Sequence, residues 1–364
     1  MPLDHYITLG RSGLRVSPLC LGTMTFGQEW GWGATPEEST AILARYMELG
    51  GNFIDTANIY TKGHSEAIIG DAFAAGGALA GRRDSVVIAT KFSGNLHTGD
   101  PNGGGCGRKA VIRQCEESLR RLRTDHIDLY WAHFLDRTTP IEELMQTLDD
   151  LVRQGKVRYI GFSDHPAWVC VQAQYEARLR GWTPLIALQI EYSLLQRTVE
   201  ADLVPMARAM ELGITPWSPL RAGILTGKYR RDGRPEVGTT RVAADSKFLN
   251  ERTYAIVDEL VAIAEDRGCT PAQVALQWVQ SRPGVGSTII GARTMAQLED
   301  NLGALAVELS PEDVARLDEL SAPTLPFPCD FLEGVRTCIH GGTTINGESR
   351  PPWPLAPEGD HDRW

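Results

Sequence analysis

The sequence lacks several features that would settle its class at once. No run of 18 apolar residues occurs among its 364, so no membrane-spanning helix is expected. Met1 to Gly10 carries Asp4 and no apolar stretch, so no secretory signal is expected there. Positive charge is in deficit: 36 Lys and Arg stand against 46 Asp and Glu, a formal net charge of −10. A net acidic chain is a poor ligand for nucleic acid or an anionic membrane, and neither is expected as a partner. The seven cysteines (20, 106, 115, 170, 269, 329 and 338) are scattered, and none forms a CxxC pair. That pattern fits reduced thiols in a cytoplasmic protein. The eight histidines include no HxH or HxxxH pair, so no metal site is expected and a metal-dependent hydrolase is a weak reading. No GxGxxG follows the first apolar strand; GTMTFG stands there instead.

What is present is alternation. Short apolar runs predict strands at 17–22, 52–56, 86–91, 127–133, 159–163, 185–190, 214–217 and 287–290. Amphipathic stretches predict helices at 36–50, 65–75, 109–122, 141–154, 166–178, 200–212, 251–267, 271–280 and 295–305. Thr35 and Thr270 are the expected N-caps, each followed by a proline, and Gly155, Gly213 and Gly268 are expected stops. Apolar strands that do not alternate, each followed by a helix, point to a parallel sheet covered by helices. Eight such units favour an α/β protein with a closed (β/α)8 barrel, the TIM-barrel architecture, over an open doubly wound sheet.

One domain is expected over 1–364, with the barrel at about 16–305. Before it, Gly10-Arg11-Ser12-Gly13 predicts a β-hairpin within 1–16. After it, 306–364 holds a helix at 311–321 and a tail rich in Pro and Gly. The tail reads either as an ordered arm over the barrel mouth or as a mobile extension. The glycine-rich stretch 101–107 reads either as a lid or as surface.

Active sites of such barrels lie at the C-terminal ends of the strands. Asp55, Tyr60, Lys91 and His133 stand at three neighbouring strand ends. Taken singly, each has an ordinary structural explanation. Together they make a proton donor and an oxyanion site. A phenol with an unperturbed pKa of about 10 is a weak acid, and a nearby ammonium is expected to lower that value. The carboxylate would hold the lysine, and the imidazole would donate to a carbonyl oxygen. No side chain supplies a hydride, so a nicotinamide cofactor is implied.

Eight stretches carry a resemblance: LGTMTFG (21–27), FIDTANIY (53–60), ATKF (89–92), DLYWAHFLD (128–136), GFSD (161–164), LQIEYSLL (188–195), PWSPLRAGILTGKY (216–229) and IIGARTMAQLEDN (289–301). Their content and order resemble the aldo-keto reductases. The resemblance implies reversible reduction of aldehydes or ketones with NADP(H), Tyr60 being the general acid assisted by Lys91 and Asp55, and His133 orienting the carbonyl. It also implies a route for the cofactor. Thr23, Met24 and Asp55 would lie near the nicotinamide ribose. Ser163, Asp164 and Gln189 would hold the carboxamide, and Trp217 would stack on the ring. Ser218, Pro219, Leu220, Gly223 and Lys228 would cover the pyrophosphate. Gly291, Arg293, Gln297, Asp300 and Asn301 would surround the adenine and 2′-phosphate, with Arg241 within reach. Many relatives carry Asn where Asp164 stands.

The substrate would be a small carbonyl compound. Trp30 and Trp32 either line its pocket or pack on neighbouring loops, and Phe92, Trp131 and Phe134 neighbour the catalytic positions. Self-association into a homo-oligomer is left open. The resemblance extends to the potassium-channel β subunits, so a cofactor-binding regulatory or docking subunit is the alternative reading.

Overall fold

The computed structural model describes residues 1–231, 242 and 246–363. It opens with an antiparallel hairpin of β1 (Ile7–Thr8) and β2 (Arg15–Val16), where the sequence places one. The barrel strands follow: β3 (Leu19–Gly22), β4 (Phe53–Asp55), β5 (Val87–Phe92), β6 (Ile127–Ala132), β7 (Val157–Ser163), β8 (Leu185–Glu191), β9 (Gly213–Trp217) and β10 (Thr288–Gly291). All pair in parallel, in the order β10-β3-β4-β5-β6-β7-β8-β9. The ring is completed where β9 meets the segment before β10: Ile214 N–H donates to Gly284 O (3.0 Å) and Gly286 N–H to Ile214 O (2.8 Å). The eight strands form the expected (β/α)8 barrel.

Helices α1 (Pro36–Glu48), α2 (His64–Phe73), α3 (Arg108–Leu122), α4 (Ile141–Arg153), α5 (Ala167–Arg180), α6 (Leu203–Ala209), α7 (Glu251–Arg267), α8 (Pro271–Gln280) and α9 (Met295–Gly303) surround it. α1 and α8 begin on full capping boxes at Thr35 and Thr270, each with Pro at the first helical position. The helix expected at 200–212 is shorter. A 3₁₀ turn takes Thr198–Glu200, and Glu211 turns out of the helix at φ 58 with its carbonyl accepting from Arg11 N–H (2.8 Å).

Side chains alternate along each strand, which splits the core in two. Cys20, Phe53, Val87, Ala89, Leu129, Trp131, Ala187 and Ile289 fill the barrel interior. Leu21, Ile54, Ile88, Phe92, Tyr130 and Ile160 face the helices. The hairpin closes the N-terminal end of the barrel. Leu9 is fully buried, and Gly10 (φ 58) sits so close that a Cβ would lie 2.1 Å from Ile186 O and 2.7 Å from Gly213 N.

After α9 comes α10 (Pro311–Leu320), which packs on the outer shell through buried Leu317 and through Trp278 Nε1–H donating to Asp318 (3.0 Å). The tail then forms α11 (Cys329–His340), none of whose residues is buried, and a small hairpin of β11 (Thr344–Ile345) and β12 (Glu348–Ser349). Cys329 Sγ–H donates to Ala201 O (3.4 Å) on the flank beside α6.

Candidate active site

Strand register sets the strand ends level. Asp55 pairs with Gly22 and Ala89, Lys91 with Trp131, Ser163 with Gln189, and Gly291 with Gly22. A cleft of about 670 Å³ opens over these ends.

Beyond β4 the chain keeps pairing with β5, through Thr56 N–H to Ala89 O (2.9 Å) and Asn58 N–H to Lys91 O (3.0 Å). That carries Tyr60 to a fixed point above Lys91. Three left-handed residues follow, Thr61 (φ 45), Lys62 (φ 59) and Gly63 (φ 93). Two of them lack glycine's freedom, so the turn costs energy and needs anchoring. Buried Thr61 anchors it, donating to Phe26 O and accepting from Ser65 N–H, both at 2.9 Å.

Lys91 alternates with Ile88 and Phe92 and so points into the barrel, where it is fully buried. Its ammonium pairs with Asp55 and donates to Thr56 O (2.8 Å) and Tyr60 Oη (3.2 Å). Asp55 is held on its other oxygen by Gln189 Nε2–H at 2.9 Å. Burial pushes the Lys91 ammonium towards neutrality, and the adjoining Asp55 carboxylate and Tyr60 hydroxyl together more than reverse that, so its pKa stands above the ordinary lysine value. Tyr60 departs from the sequence-based expectation. Burial raises its pKa; Lys91 pulls the other way and Asp55 adds to the rise, so the net shift is upward. The phenol therefore rests protonated.

His133 follows β6, with its backbone N–H on Phe92 O (3.2 Å). Its ring meets Tyr60 edge-on, centroids 5.9 Å apart, and stacks on Phe134 at 4.0 Å. Burial, with Lys91 beside it, drives its pKa down to about 2, so the imidazole is neutral. Its Nδ1 is buried without a hydrogen-bond partner among the described residues.

The structure brings most of the residues implied by the resemblance to the cleft. Met24, Asp55, Tyr60, His133, Ser163, Asp164, Gln189, Trp217, Ser218, Pro219, Leu220, Gly223, Lys228, Gly291, Arg293, Gln297, Asp300 and Asn301 all line it. Several are already committed to one another. Gln189 holds Asp55, α8 holds Asp300 through Thr270 Oγ1–H (2.9 Å), and Asn301 donates to Gly291 O (3.1 Å). Gln297 accepts from Arg293 N–H (2.9 Å) at the start of α9. Thr23 does not line the cleft. It is buried behind it and supports Asp55 by donating to that residue's carbonyl (3.1 Å). Arg241 lies outside the described residues.

Of the aromatic candidates, Trp30 and Phe134 line the cleft, Trp30 with its ring 6.3 Å from that of Tyr60. Trp32 packs against Trp30 at 5.7 Å and does not line it. Phe92 and Trp131 do not reach the cleft either. Phe92 faces the helix layer, Trp131 fills the barrel interior, and both are fully buried. The tail adds no described residue to the lining, and neither does 101–107, which is tied down by Gly105 N–H on Ser93 O (2.8 Å).

Two features escape a reading of the sequence. Trp217 Nε1–H donates to Asp164 Oδ1 (3.0 Å), although 53 positions separate them. Arg221 also lines the cleft, paired with Glu191 and lying 4.2 Å over the Phe248 ring. The only signal for Arg221 was its place in the loop after β9, where Ser218, Arg221 and Ala222 all take positive φ.

A profile of the Aldo/keto reductase family matches residues 18–322. An uncharacterized oxidoreductase of Bacillus subtilis is 40% identical over 327 residues, covering 87% of this chain and 95% of the relative. An aryl-alcohol dehydrogenase of Pestalotiopsis microspora is 35% identical, covering 94% and 88%. An aryl-alcohol dehydrogenase [NADP(+)] of Phanerodontia chrysosporium is 36% identical, covering 88% and 85%. With the family profile spanning the whole barrel, the chain belongs to the aldo/keto reductase family of oxidoreductases.

Proposed function

We propose that this chain, working as one barrel domain, catalyses the reversible NADPH-dependent reduction of small aldehydes or ketones, aryl carbonyls in particular. The observation that carries the reading is the Tyr60 hydroxyl 3.2 Å from a buried ammonium that Asp55 and Thr56 O fix in place.

The residues present fit an NADP(H) molecule. Trp217 offers a flat face in the cleft beside Ser163, Asp164 and Gln189, which have amide-binding oxygens and nitrogens. Lys228 approaches Gly223 so closely that a Cβ there would lie 3.0 Å from its ammonium, leaving a narrow basic cradle suited to a pyrophosphate. Arg293 stands at the start of α9 and, among the described residues, makes no ion pair, which suits a 2′-phosphate. When bound, the nicotinamide supplies the hydride.

The chain's own residues handle the proton. Tyr60 gives its phenolic proton to the carbonyl oxygen as the alcohol forms. Lys91 stabilises the phenolate that remains, and Asp55 keeps Lys91 charged and oriented. Neutral His133 has one N–H to offer the same oxygen. Trp30 and Phe134 wall the space beside Tyr60, and the names of two relatives support an aryl substrate.

The test is NADPH oxidation with a panel of aryl and alkyl aldehydes. Wild type should turn over. Tyr60→Phe should lose at least about 10²-fold in kcat, the usual share of a positioned general acid, while still binding NADPH. Absence of turnover with every carbonyl would overturn the reading.

A further inference from the structure

We infer that the Asp164 carboxylate makes the cleft discriminate between the two redox states of the nicotinamide, favouring the oxidised, cationic one. This deepens the proposed function and rests on its placement of the ring against Trp217.

Asp164 follows β7 in the left-handed region, at φ 52, with its N–H on Gln189 O (3.1 Å). That conformation is unfavourable for a residue with a Cβ. Here it turns the side chain into the cleft. Oδ1 accepts from the Trp217 indole (3.0 Å), and Ser163 Oγ lies 3.5 Å from Oδ2. The carboxylate is therefore fixed at the N–H edge of the Trp217 indole, inside the cleft.

Charge comes next. Among the described residues, no Lys, Arg or His lies within ion-pair distance of Asp164. The other charges near the floor cancel in pairs, Asp55 with Lys91 and Glu191 with Arg221. Asp164 thus adds an uncompensated negative charge to the reaction end of the cleft. Burial lifts its pKa to about 6, which leaves it ionised at pH 8.

Removing a hydride from a dihydronicotinamide leaves a pyridinium ring with one positive charge more. A fixed carboxylate next to that ring stabilises the product state, in a cleft less polar than water. On the protein, the balance moves towards alcohol plus oxidised cofactor: hydride on the carbonyl carbon, Tyr60 proton on its oxygen. The same attraction slows release of the oxidised cofactor. An asparagine would keep the shape and the acceptor for Trp217 and would lack the charge.

The experiment is equilibrium titration of the full chain with NADP+ and with NADPH at pH 8, read by quenching of protein fluorescence, for wild type, Asp164→Asn and Asp164→Ser. The expected result is a fall of at least about threefold in Kd(NADPH)/Kd(NADP+) in both variants, mainly through weaker NADP+ binding. A common factor for both cofactor forms, or no change, would overturn the inference and leave the proposed function standing. Failure of wild type to bind either form would overturn both.

Discussion

At the scale of single residues, the buried charges decide what the site tolerates. Lys91 Nζ holds three oxygens at once, from Asp55, Thr56 and Tyr60. Lys91→Met should abolish turnover and also destabilise the fold by about 3–5 kcal/mol, because Asp55 would be left charged and unpaired in the barrel. Urea unfolding measures this, and Asp55→Asn added to Lys91→Met should restore part of the loss. His133 gives a pH prediction. Its folded pKa, about 2, lies below the unfolded value, so only the unfolded chain takes up that proton in mild acid. Stability should fall as pH drops below about 6.5, by up to ~1.4 kcal/mol per unit from this group. His133→Gln should flatten that slope in unfolding curves taken between pH 7 and pH 5. The grouping of Asp55, Tyr60, Lys91 and His133 was legible because three of them mark the ends of apolar strands and Tyr60 follows Asp55 closely. Phe92 and Trp131 were misleading because sequence proximity to a site says nothing about which face of a strand a residue occupies, as for Phe92, or how deep in the barrel it lies, as for Trp131. The bond between Asp164 and Trp217 was invisible, since it joins the residue after β7 to the last residue of β9, two strands apart in the sheet.

At the scale of elements, local chemistry was read best where it is self-contained. α7 and α8 have the expected bounds because Gly268 at φ 63 ends one and the Thr270-Pro271 box starts the other. α6 was overestimated because a docking contact with the hairpin, not a capping signal, ends it. The loop after β9 shows the same limit. Its positive-φ residues are held by the Arg221–Glu191 pair, with both side chains about four-fifths buried. Arg221→Ala should loosen that loop and weaken NADPH binding about tenfold, or ~1.4 kcal/mol. Stopped-flow release of NADPH should show most of the change in the off-rate. Thr270→Ala removes a cap and a hydroxyl donor to Asp300. It should cost about 1 kcal/mol in thermal unfolding.

At the scale of the whole molecule, the two ends of the barrel carry different parts. The hairpin seals one, and the cleft occupies the other. Gly10→Val should lower Tm sharply, since its Cβ has no room beside Ile186 and Gly213, while the protein that does fold should bind NADPH with unchanged affinity. The eight-unit ring was legible from alternation alone, because each strand and helix obeys its own period. The cleft's detail depends on side chains arriving from strands far apart in sequence, and no local pattern encodes that.

The last barrel strand to be made, β10, pairs along β3, with Cys20 opposite Ile289, and the segment before it meets β9. During synthesis the partner of β3 is made some 270 residues later. Until then β3 and β9 each present a bare edge of unpaired N–H and C=O groups. The emerging chain is thus a sticky open sheet for most of its assembly, and becomes edge-free only when residues 284–291 arrive.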